Sequence, residues 1–170
     1  MNLKQKLALR STVVCAVTLL LVFGGTFYFF KNYIDLQYYR LLNERAVTAA
    51  FIFLEKDELS KQNYRSYEKK YLQSLSEEMV QIYDDRGIVS FVEEEISFPV
   101  SPELLQKIRT EEKYNFRRGD RQFSGIFYKD NQGDFVIIIS GINTRAEGQV
   151  RSLLYLMSLF FVIGIVINYL

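Results

Sequence analysis

The sequence predicts an α+β domain: an antiparallel five-stranded sheet with a long N-terminal helix, flanked by two helices able to cross a membrane. Three observations predict it. Ser11–Phe30 runs twenty residues without a charge, and Leu153–Leu170 runs eighteen. All 20 Asp and Glu lie in the 122 residues between those runs. Within that middle, a helical pattern gives way to short β-rich runs punctuated by turn residues.

The first ten residues are a basic tail carrying Lys4, Lys6 and Arg10 and no acid. The run 11–30 follows as a first transmembrane helix of about 30 Å, and 153–170 as a second of about 27 Å, matching bilayer hydrocarbon. The alternative for the first run is a cleaved signal peptide. No A-x-A pattern is present and apolar character persists through Phe27, Tyr28, Phe29 and Phe30, which favours an uncleaved anchor. A buried core helix is the alternative for the second run. Its uncharged side chains all round fit lipid better, with Tyr155 and Tyr169 near the two interfaces.

The exported domain is expected at 31–152. From Lys31 to Leu54, Ile34, Tyr38, Leu41, Leu42, Ala46, Ala49, Ala50 and Phe53 recur at helical spacing, while Asp35, Arg40, Glu44 and Arg45 are assigned to other faces. Neither Gly nor Pro occurs between Phe27 and Leu54, so membrane helix and domain helix read as one. A break over 56–63 and a helix over 64–74, with Tyr64, Tyr67, Tyr71 and Leu72 on one face, come next. Strands are predicted at 79–83 and 88–92, joined by a turn in which Gly87 supplies a positive φ. Ser101 and Pro102 read as the cap and first residue of a helix to Arg109. A third strand begins at 114–116. Strands 122–128 and 135–140 form a hairpin, and the nearly all-apolar last strand should be central. A final helix from Thr144 or Arg145 feeds the second span. Packing the helices largely on one face of the sheet is the economical solution.

Charge sets the orientation. The tail holds three of the 21 Lys and Arg, leaving 18 against 20 acids in the middle, a net charge of −2 there. The positive-inside rule keeps the tail cytoplasmic and exports the middle. The chain has no histidine, and its one cysteine, Cys15, lies in the first run, as a small packing residue or an acylation site. Metal-binding and Ser-His-Asp or Cys-His chemistry lose their usual groups. Phosphate-cradling glycine loops are absent, and mixed charge rather than a basic stripe argues against nucleic acid. Catalytic residues, metals and cofactors are therefore not expected.

Several residues carry two readings. Arg117, Arg118 and Arg121 in RRGDR form either an anion-recognising rim or a solvated turn with surface ion pairs. Tyr83, Phe91, Phe127 and Tyr128 either line a small-molecule pocket or pack in the core. Glu93–Glu95 with Glu77 and Glu78 either attract divalent cations, sit near lipid headgroups or form a hydrated loop. Gly24 and Gly25 would allow close helix approach, although no small-xxx-small repeat is complete there.

The stretches MVQIYDDRGIVSF, FPVSPELLQKIR and GIFYKDNQGDFVIIIS, within this two-span arrangement, resemble the extracytoplasmic PAS-like (PDC-type) sensor domain of bacterial membrane histidine kinases. The resemblance implies an input module in the bacterial cytoplasmic membrane, followed by a kinase bearing a phospho-accepting histidine and signalling to a response regulator. These 170 residues contain neither that histidine nor an ATP-binding domain. The expectation is a homodimeric sensor module in the lipid bilayer, stimulated by an unidentified small molecule or protein. The alternatives are a stand-alone two-span envelope protein that binds a protein partner, or the input domain of a diguanylate cyclase or chemoreceptor.

Overall fold

The computed structural model describes residues 3–54, 75–92, 98–131 and 133–169. Its elements are α1 (Leu3–Phe53), β1 (Met79–Tyr83), β2 (Val89–Val92), α2 (Pro102–Glu111), β3 (Lys113–Arg118), β4 (Arg121–Asp130), β5 (Gly133–Ile142) and α3 (Thr144–Tyr169). They form two compact units, one of residues 1–36 with 144–170 and one of 37–143. The sequence boundaries of 31 and 152 therefore fall inside helices. The expected break at 56–63, the helix at 64–74 and the Glu93–Glu95 loop lie outside the described residues.

The first unit contains the N-terminal two-thirds of α1 and all of α3, both long and apolar enough to cross a membrane. The two segments run antiparallel. Thr12 Oγ1 lies 3.3 Å from Asn168 Oδ1, and a Cβ on Gly164 would stand 3.0 Å from Leu19 Cδ1. The small residue at the close contact is thus Gly164, and open space surrounds Gly24 and Gly25. Leu21, Phe29, Leu159 and Ile167 point outward, a surface that water would penalise. Thr12, Thr18, Thr26 and Ser158 each return their hydroxyl to the carbonyl four residues back, so these polar groups are satisfied within their own helices.

In the second unit the strands order as β2-β1-β5-β4-β3, every pairing antiparallel. β5 is central, as its apolar run predicts, and pairs with β4 without interruption from Arg121↔Ile142 to Asp130↔Gly133. Val136, Ile137, Ile138 and Ile139 have no exposed surface, because both faces of β5 are covered. The β1–β2 turn depends on Gly87 at φ +76°, with Asp84 Oδ1 accepting from the amides of Arg86 and Ile88. α2 begins as expected: Ser101 Oγ accepts from Leu104 N at 3.3 Å and Pro102 opens the first turn. It ends at Glu112 in the left-handed region, φ 61°, and the Glu112 carbonyl accepts from Phe127 N.

The helices do not share one face of the sheet, which corrects the packing expectation. Side chains alternate along a strand, so each strand feeds two cores. Tyr38, Leu42, Ala46, Ala49 and Ala50 of α1 pack on Val80, Ile82, Ile126, Ile137 and Ile139. Leu105 and Ile108 of α2 pack on Tyr83, Phe123, Val136 and Ile138 on the opposite face. Three alanines let α1 lie close, whereas α2 meets aromatic rings. Two α1 positions depart from the expected stripe: Leu41 is 39% exposed and Arg45 only 4%.

Candidate functional site

Among the described residues of the second unit, a polar turn, Ser76-Glu77-Glu78, ties three elements together. Glu78 forms a two-point ion pair with α1: Arg45 Nε to Oε1 at 2.9 Å and Nη2 to Oε2 at 2.6 Å. Both side chains are nearly buried, at 5% and 6% exposure. Oε2 of Glu78 also accepts from Leu75 N. Glu77 holds β4, its carbonyl and carboxylate accepting from Arg121 at 2.7 and 2.9 Å. Ser76 holds β5 through its carbonyl, which accepts from Ile142 N at 3.2 Å. Glu77 adopts φ 52°, a left-handed conformation unusual for a side-chain-bearing residue. Glu77 and Glu78 are thus an ion-paired turn, not part of a hydrated acidic loop.

Tyr38 sits beside this turn. Its ring is buried, and a Cβ on Gly141 would collide with its hydroxyl. Glycine is required there by close approach. The hydroxyl has no hydrogen-bond partner among the described residues. Burial, reinforced by the Glu78 charge and partly offset by Arg121, pushes the Tyr38 phenol up to about 12.

The three arginines of RRGDR do not converge on a common point. Arg117 donates to Gly119 O at 3.1 Å, Arg118 to Pro99 O at 3.2 Å, and Arg121 serves the Glu77 turn. Arg118 and Arg121 are cross-strand partners and share a face; Arg117 pairs with Gln122 and lies on the other. Arg118 also stands 5.7 Å over the Phe116 ring.

The structure divides the aromatic candidates, with Tyr83 and Phe127 on one face of the sheet and Tyr128 on the other. Tyr83 belongs to the α2-face core, where burial raises its pKa and its hydroxyl donates to Gln81 Oε1 at 3.1 Å. Tyr128 packs on the α1 face, edge-on to Phe51 at 6.2 Å. Phe127 flanks the α2-face core, and Phe91 pairs in register with Ile82. Among the described residues, no cluster of three or more His, Cys, Asp or Glu is placed to hold a metal.

The residues that sequence reading missed are Arg45, Glu78 and Tyr38 as a set. One signal was present. Arg45 lies three residues after Leu42 and four before Ala49, which places it on the buried stripe. Comparison with family models, with curated proteins and with solved structures finds no match.

Proposed function

We propose that this chain is the membrane-anchored input module of a bacterial signalling receptor, with a PAS-like domain outside the cytoplasmic membrane. In this reading a stimulus received by the domain passes through the membrane helices of a homodimer to a cytoplasmic histidine kinase. The observation that carries it is continuity. α1 is one helix from Leu3 to Phe53, so the apolar stretch and the sheet-packing stretch share an unbroken backbone ladder. On the return, only Asn143 separates β5 from α3. A flexible linker would dissipate a displacement, whereas an unbroken helix can carry one.

The Ser76–Glu78 turn supports the same reading. It ties α1 to the ends of β4 and β5, so the departing and returning segments share one anchoring point. Signalling of this kind needs two arrangements within a few kcal/mol, biased by the stimulus. The antiparallel sheet between a long and a short helix fits the PAS-like resemblance, and the basic tail fits a cytoplasmic N-terminus.

Deleting one residue between Arg145 and Arg151 in a full-length receptor tests this. It rotates the following helix by about 100° and should lock or abolish regulated output. Normal, stimulus-dependent output after that deletion would reject helix-borne signalling.

A further inference from the structure

The two edges of the sheet differ. β2 is four residues long and its pairing with β1 shifts register between Ile82 and Tyr83. Such an irregularity blunts an edge against further pairing. β3 is six residues long and pairs with β4 in continuous register from Lys113↔Ile126 to Arg118↔Arg121. It is the last strand in its sheet, and no strand among the described residues covers its outer side.

The two faces of that edge carry different chemistry. Lys113 and Arg117 lie on the α1 face, both exposed, on either side of Asn115. The Asn115 side chain is already engaged, its Oδ1 accepting from Ser124 Oγ at 2.8 Å. Tyr114 and Phe116 lie on the opposite face, half-buried, as the outer rungs of a ring ladder. Phe116 stacks on Phe123 at 4.7 Å with planes 4° apart, and Phe98 meets Phe123 edge-on at 4.6 Å. Tyr114 stacks beside Phe116 at 5.8 Å, with Lys107 Nζ 4.0 Å over its ring. The ladder ends at this edge, where one more strand would add its next rung.

We propose that the β3 edge binds an extended segment of a partner protein in which acidic and apolar residues alternate. Main-chain hydrogen bonds supply the pairing, and the alternation supplies the choice. Acidic side chains face Lys113 and Arg117, while apolar ones extend the ring ladder beyond Tyr114 and Phe116. Charge argues against a second copy of the same edge. KYNFRR contains three cations and no acid, so self-pairing sets like charges against each other. This inference goes beyond the signalling assignment and does not depend on it.

The test uses the full chain in nanodiscs and a fluorescein-labelled octapeptide alternating glutamate with valine. Fluorescence anisotropy should show saturable binding. It should weaken about tenfold or more for the Lys113→Glu/Arg117→Glu double variant, since two favourable pairs become repulsive. A control peptide with its glutamates grouped at one end should bind at least about tenfold more weakly. An alternating peptide N-methylated at every second amide leaves the protein untouched and should lose binding, because it cannot complete the ladder. Absent saturable binding, equal affinity for grouped or methylated peptides, or indifference to the charge reversal would each overturn the proposal.

Discussion

The two faces of the sheet are fastened by different means. On one, α1 lies close through Ala46, Ala49 and Ala50, and a buried ion pair joins Arg45 of the helix to Glu78 at the start of β1. On the other, α2 rests on aromatic rings, and its ion pair, Lys107–Glu111 at 3.9 Å, is half exposed on its own surface. A close aliphatic contact fixed by charge has few alternative arrangements. A layered aromatic contact tolerates adjustment, because each ring slides on its neighbour at small cost. The sheet-packing stretch of α1 is thus fixed by close contact and charge, whereas α2 is held by ring packing.

The largest effect is expected at the ion pair. Arg45→Ala leaves Glu78 buried and unpaired and should cost about 3–5 kcal/mol in chemical unfolding. Arg118→Ala on the ring face should cost less than about 1 kcal/mol by the same measurement.

Alkaline titration sharpens the contrast next. Tyr38 keeps its proton to about pH 12 in the fold and to about 10 when unfolded. Its contribution is complete below pH 10 and is lost as pH rises from 10 through 12, about 2–3 kcal/mol in all. Tyr83 is shifted in the same direction, so Tyr38→Phe should remove only part of the pH slope seen in alkaline unfolding curves.

Gly141→Ala drives a methyl into the Tyr38 hydroxyl and should cost about 1–3 kcal/mol. In a double-mutant cycle, Tyr38→Phe should recover much of that loss, because the colliding oxygen is gone. The smallest effect is expected at the α2 cap, where Ser101→Ala should lower stability by about 1 kcal/mol and leave α1 packing unchanged by near-UV dichroism.

Sequence patterning revealed most of the elements because each announces itself locally. The apolar run at 135–140 marks a central strand, Gly87 a tight turn, and Ser101-Pro102 a helix start. What stayed hidden is non-local. Arg45 and Glu78 are 33 residues apart, and nothing in either neighbourhood names the other. The split of the helices between two faces was equally invisible, since an alternating strand is consistent with cover on either side. The RRGDR arginines were noticed for their clustering. Strand alternation then sends Arg117 to one face and Arg118 and Arg121 to the other, which separates residues adjacent in sequence.

β5 is enclosed by its neighbours. Its flanks are both hydrogen-bonded, its faces both covered, and the amide of its last residue is held by Ser76. Slipping by a single position would turn Ile137 and Ile139 toward α2 and Val136 and Ile138 toward α1, exchanging two cores of different shape. The lengthwise register of the strand is therefore fixed by the two different cores that it separates.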